Sequence, residues 1–160
     1  MKTLLPFLLL LTGCFGFSVK MEHEKEAVSI CEDVRQVMHR YFNAFNNDDV
    51  ETIAQCWHAP GSIEMGAKVT LSTPADISDF YREKLKSLHS EGFDHSRLIR
   101  EEFEWFGGDT ATARIVFRRV GKDGQVIPPD ERRASYRLIR VDGKWGIQSL
   151  LLPNPGESNK

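Results

Sequence analysis

The sequence predicts an α+β fold, a curved antiparallel sheet forming a cone that a long N-terminal helix and two further helices cover. Three observations carry this expectation. Apolar residues from Ala27 to Phe45 recur at helical spacing over the longest such run in the chain. Two further helix starts follow, at Asp48 and Thr73. From Arg97 to Leu152 the pattern changes to period two, punctuated by Gly- and Asp-bearing turns.

In the first helix, Ala27, Ile30, Cys31, Val34, Val37, Met38, Tyr41, Phe42 and Phe45 share one face. Glu32, Arg35, Gln36, His39 and Arg40 fall on the other. Asn46-Asn47 tolerates a turn and ends it. Asp48-x-x-Glu51 has capping-box spacing and opens a short second helix that carries Val50, Ile53, Ala54 and Trp57 inward. His58-Ala59-Pro60-Gly61 breaks that helix, and Ser62–Met65 with Lys68–Ser72 reads as a small hairpin. Thr73-Pro74-Ala75-Asp76 supplies an N-cap, a first-turn proline and a first-turn acid. The third helix buries Ile77, Phe80, Tyr81, Leu85 and Leu88 and stops at Glu91-Gly92.

Strands follow. In 97–106, Ile99, Phe103 and Trp105 share one face and Arg100, Glu102 and Glu104 the other. In 110–120, Ala111, Ala113, Ile115 and Phe117 alternate with polar residues. Residues 121–130 read as a loop. Asp142-Gly143 is the sharpest hairpin signal in the chain. A two-residue turn there pairs Val141 with Lys144, Leu138 with Ile147 and Arg137 with Gln148. One face then carries Tyr136, Leu138, Arg140, Trp145, Ile147 and Ser149, the other Ser135, Arg137, Ile139, Gln148 and Leu150.

A chain of 160 residues with 41% hydrophobic and 28% charged residues suits one globular domain. Its organisation reads as a signal segment and connector over 1–23, the cone domain over 24–152 and a polar tail over 153–160. A net charge of −2 offers no basic excess for sequence-independent phosphate binding, so nucleic acid is not an expected partner. Three Cys without a Cys-x-x-Cys, and no His-x-x-x-His, argue for neither a disulfide framework nor a metal site, and no cofactor is expected.

Met1–Cys14, MKTLLPFLLLLTGC, has one Lys, an apolar run too short to span a bilayer, and Leu-Thr-Gly-Cys at its end. These last four residues resemble a bacterial lipobox. The resemblance implies lipidation of Cys14 and an extracytoplasmic protein whose contact with the membrane is the lipid anchor alone. The alternative is translation from Met21 and a cytoplasmic protein.

The passage Arg40–Val50, the second helix through Trp57, and the closing Tyr136-Arg137-Leu138 and Asp142–Ile147 resemble the nuclear transport factor 2-like, or SnoaL-like, superfamily over about Glu24–Leu152. The resemblance implies a cone with an internal cavity and a homodimer formed through the sheet. It also implies a choice of roles. Some members are isomerases, dehydratases or hydrolases, and others only bind or assemble. Against the ketosteroid isomerase branch, Tyr41 matches the oxyanion-hole tyrosine. Met65 stands where the general base belongs, with Glu64 beside it, and Ser135 stands at the second acid. A Met takes no proton, and neighbours on a strand point to opposite faces.

The sequence therefore favours a non-catalytic binding or interaction domain with a small hydrophobic or acidic ligand in the cone. The alternative is proton-transfer chemistry on a hydrophobic substrate by Tyr41, His58 and Glu64. Ligand-binding candidates are Trp57, Tyr81, Ser135, Arg137 and Gln148. Tyr41 and Trp57 also fit plain core roles, His58 a helix C-terminus, and Glu64 a solvated strand. The sheet is dense in arginine, including Arg97, Arg100, Arg114, Arg118, Arg119, Arg132, Arg133, Arg137 and Arg140. These residues read either as cross-strand charge pairs or as an anion site built of guanidinium forks. Whether the aromatic face of the last hairpin or the Ser135 face lines the cavity is left open by the sequence.

Overall fold

Helix α1 covers Thr12–Asn46, α2 Val50–Gln55 and α3 Pro74–Ser90. Strands β1 (Trp57–Met65), β2 (Ala67–Leu71), β3 (Phe93–Trp105), β4 (Thr110–Gly121), β5 (Val126–Val141) and β6 (Lys144–Leu151) form one sheet. Its order is β2-β1-β6-β5-β4-β3, and it curves around the helices on one face. This computed structural model describes residues 12–153, with side chains from Glu22 onward. The lipidation expected at Cys14 concerns a side chain outside the described residues.

The expected α+β cone is therefore present, with local corrections. The described residues are helical from Thr12 to Asn46, so the connector expected over 15–24 is helical instead. Lys20, Met21, Glu22, Glu24, Lys25 and Glu26 are good helix formers, and an exposed helix needs no apolar stripe. His23 leans on Trp105, ring centroids 5.2 Å apart, at the far end of β3. Further along, Ile30, Val34, Met38, Tyr41, Phe42 and Phe45 are buried on the sheet, on the predicted stripe.

The join between α1 and α2 uses Asp48 at φ 55 and Asp49 as N-cap, its carboxylate accepting from Thr52 N at 2.9 Å. Asp48 also pairs with His89 at 2.8 Å, which ties this turn to the end of α3. The side chain of Asn46 accepts from Ser96 N and donates to Ser96 O, standing in for a strand neighbour at a buried position of β3. Helix α3 starts as expected, with a reciprocal capping box between Thr73 and Asp76 and Pro74 in its first turn.

Trp57–Gly61, expected as a helix end and a break, is the first half of β1. This half pairs with β6 in parallel, Trp57 opposite Ile147, the one parallel junction in an otherwise antiparallel sheet. Gly146 permits the approach. A Cβ there would lie 2.6 Å from the ring of His58, which crosses β6 to bond Lys144 O at 3.0 Å. The loop expected at 121–130 shrinks to a short turn, because β5 begins at Val126, and Val126 and Ile127 already pair with Val120 and Arg119 of β4.

Two bulges reassign side chains. In β3 the register shifts between Leu98 and Arg100, so Leu98 packs on the core and Ile99 is 42% exposed. In the last hairpin Asp142 and Gly143 both take positive φ, as a type I′ turn requires. Val141 pairs with Lys144 and Leu138 with Ile147, as predicted. Between Arg137 and Leu138 the register shifts, so Arg137 faces Ser149 rather than Gln148. The extra residue turns Leu150 to the buried face, which strict alternation had assigned to the other side.

Candidate functional site

The concave side of the sheet is built from in-phase residues of neighbouring strands. Ala111, Ala113, Ile115 and Phe117 come from β4, Ala134, Tyr136 and Leu138 from β5, and Ile147 and Leu150 from β6, all buried. Phe42 and Phe45 of α1 and Tyr81 of α3 close over them. Between these layers lies a cleft lined by Tyr41, Phe42, Ile63, Phe80, Tyr81, Phe117, Tyr136 and Leu150. Its free volume is about 40 Å³, room for a few waters at most. The cleft shares Met65, Lys84, Phe117, Arg119 and Leu152 with a wider vestibule of about 280 Å³, which Glu131, Arg132 and Arg133 also line. The site is thus a narrow apolar throat under a charged mouth.

Three tyrosines meet in the throat. The hydroxyls of Tyr41 and Tyr81 are 3.1 Å apart and hydrogen-bonded. The rings of Tyr41 and Tyr136 meet edge-on at 5.6 Å, and Tyr41 and Tyr81 at 5.9 Å. Burial first, and then the neighbouring phenols, push all three hydroxyls well above the usual tyrosine range. They are neutral donors and acceptors at neutral pH and cannot serve as bases there. The Tyr136 hydroxyl is close enough to Tyr41 for each to influence the other's ionisation, yet it is outside hydrogen-bond geometry. Likewise the buried Nε1 of Trp57 favours the Tyr81 phenolate but makes no aligned hydrogen bond.

The expected site residues divide by sheet face. Tyr41, Trp57 and Tyr81 come together, with the rings of Trp57 and Tyr81 6.0 Å apart. His58 and Glu64 do not join them. His58 lies across Gly146 with its Nε2 bound to a backbone carbonyl. Glu64 is exposed and pairs in register with Lys68, while its neighbours Ile63 and Met65 line the cleft. The ligand candidates Ser135, Arg137 and Gln148 are on the convex face. Arg137 and Gln148 border a shallow outer groove with Ser149 and Lys68, and Ser135 borders another with Arg100 and Arg114. The physical reason is the pleat. Tyr136 and Leu138 supply the larger apolar area and take the helix side, which sends Ser135 and Arg137 outward. The face left open is therefore the aromatic one.

The two readings of the arginines also separate by face. Arg114 bonds Glu104 at 2.8 Å and lies 3.5 Å from Glu102, and Arg100 lies 3.3 Å from Glu102, all on the exposed convex side. Arg119 and Arg132 instead belong to the concave phase, beyond Phe117 and Ala134. Lys84 joins them from α3, in the stripe between Tyr81 and Leu88. Sequence reasoning did not select Lys84, although the signal was present as a cation one turn from Tyr81 on an otherwise apolar stripe. Cys56 is buried at the turn from α2 to β1, and burial pushes its thiol up to about 11, so it is no nucleophile at neutral pH.

A family model described as NTF2-like protein (DUF6841) matches residues 32–155. The chain belongs to this NTF2-like family. No curated protein matches the chain. Solved structures share the fold at low identity. An NTF2-like protein with a cystatin-like fold from Novosphingobium aromaticivorans is 17% identical, covering 91% of this chain and 90% of its own, with a TM-score of 0.65. An NTF2-like protein of unknown function from Pseudomonas putida KT2440 is 15% identical, covering 84% and 94%, with a TM-score of 0.64. A protein from Novosphingobium aromaticivorans described as a putative aromatic ring hydroxylase is 17% identical, covering 78% and 88%, with a TM-score of 0.60. At these identities the likeness is one of fold. For this NTF2-like chain, function has to be argued from its own cleft.

Proposed function

We propose that this NTF2-like domain is a small-molecule-binding module whose cone receives the apolar body of a ligand without chemically changing it. The observation that carries the reading is the composition of the throat. Phe42, Phe45, Phe80, Phe117 and Leu150 surround three hydroxyls that stay protonated at neutral pH. Such a lining suits recognition, with an apolar wall and a few fixed polar points. Among the described residues its lining includes no carboxylate and no imidazole. Of the three residues considered for proton transfer, only Tyr41 faces the throat, and it would need a base that neither Glu64 nor His58 is placed to supply.

The test uses an uncharged probe. Octan-1-ol titrated into methyl-labelled protein should shift the signals of Ile63 and Leu150 saturably, at one equivalent per chain. Leu150→Trp, which fills the throat from β6, should abolish the shifts while the circular dichroism of the fold is retained. Absence of saturable shifts, or shifts that Leu150→Trp leaves intact, would refute a ligand-binding throat.

A further inference from the structure

We propose that the mouth of the cone is an anion site, in which Lys84, Arg119 and Arg132 hold the carboxylate of a small amphipathic ligand. Its apolar body points past Phe117 into the throat. The inference rests on the binding reading above and adds to it the chemical class of the ligand.

The argument begins with phase. A cation on a strand or helix normally turns to the solvent side. Arg119 follows Ile115 and Phe117 on the concave side of β4, and Arg132 pairs opposite Phe117. Lys84 lies on the buried stripe of α3. All three line the same vestibule. Three different elements thus bring cations to a single mouth, which Arg133 of β5 also lines.

That arrangement is costly as it stands. Burial, followed by the charges of Arg119 and Arg132, disfavours the ammonium form of Lys84. Burial and then Arg132 do the same to Arg119, and burial alone to Arg132. Nearby carboxylates do not offset this. Among the described residues none of the three cations is in an ion pair. The field of Glu91 favours all three charges but stops short of contact. Glu131, at the rim, lies 3.7 Å from Arg118 on the other side of its strand. The Nε groups of Arg119 and Arg132 are buried without an acceptor, although Arg132 Nη2 donates to Pro128 O at 2.6 Å.

Buried donors without acceptors are uncommon in folded proteins, and like charges gathered in a partly dry cleft are rarer still. An anionic acceptor resolves both. Guanidinium groups match the planar carboxylate, and Lys84 adds a point charge from the opposite wall. The linings set the orientation, apolar and aromatic in the throat and cationic in the vestibule. The vestibule, at about 280 Å³, accommodates a head group, while the 40 Å³ throat admits only a narrow chain or a ring edge.

The experiment compares matched pairs of probes on the intact protein, octanoate with octan-1-ol and benzoate with benzyl alcohol, by calorimetric or methyl-shift titration. The acid of each pair should bind roughly tenfold or more tightly than the alcohol, as charge-assisted hydrogen bonds imply. The advantage should shrink as salt is raised. Arg119→Gln and Arg132→Gln should each bring the acid-to-alcohol affinity ratio close to one. Both variants relieve charge repulsion, so each should fold, as circular dichroism would verify. Equal binding of acid and alcohol, or an acid preference that survives both substitutions, would overturn the anion site and leave the throat reading standing. Failure of every probe, alcohols included, would overturn both.

Discussion

The two faces of the sheet are made of the same strands and differ in almost every physical respect. On the concave face, alternate residues of β4, β5 and β6 are apolar or phenolic, and their hydroxyls are held neutral by burial. On the convex face, one residue away along each strand, Arg100, Glu102, Glu104 and Arg114 make exposed ion pairs. The concave side carries the fold's stability and the proposed recognition surface, because each group there has lost water and must find a partner among its neighbours. The convex side is solvated, and its pairs are screened. The mouth of the cone breaks this division by turning cations to the dry side, and so it is the place to look for a ligand.

The contrast can be broken with substitutions on opposite faces of β5. Leu138, fully buried on β5, should cost about 2–5 kcal/mol on change to Ala, through lost transfer energy and a residual cavity. Ser135→Ala on the convex side of the same strand should fall within about 0.5 kcal/mol of the parent in urea unfolding. Similar losses for the two would mean that the faces are not distinct.

A smaller effect sharpens the account of the throat. Tyr41→Phe removes one partner of the buried Tyr41–Tyr81 hydrogen bond and should cost about 1–3 kcal/mol. The double change with Tyr81→Phe should cost less than the sum of the two single changes, since neither hydroxyl of that pair then remains without the other. Strict additivity in that cycle would show that the two hydroxyls do not interact. The smallest effect belongs outside. Arg114 is tied to Glu104 and Glu102 on the solvent side, and Arg114→Ala should leave the urea midpoint unchanged in about 0.5 M salt. A clear loss there would give the convex pairs a weight that their solvation denies.

Much of the fold was legible in advance because it depends on local rules. The stripe of α1, the capping box at Thr73 and the I′ turn at Asp142-Gly143 each follow from residues adjacent in sequence. The candidate site was less legible. Tyr41 and Tyr81 could be placed inward by their stripes, but their mutual hydrogen bond joins residues forty positions apart. Glu64 and His58 were close in sequence to the right place and on the wrong face. Ser149 and Leu150 exchanged expected faces because one bulge shifts the register within β6. A bulge has no strong sequence signature in such a strand, yet it reverses every side chain beyond it.

By itself the sequence determined the α+β class, the order of helices and strands, the superfamily resemblance and the residue types able to line a cone. Periodicity, caps and turns are short-range properties and are written in neighbouring residues. Tertiary structure alone decided which face of the last hairpin looks inward, which of the many arginines lose water, and that Lys84 meets Arg119 and Arg132 at one mouth. Those outcomes depend on how sheet curvature and bulges set distant residues against one another, and no local pattern encodes that distance.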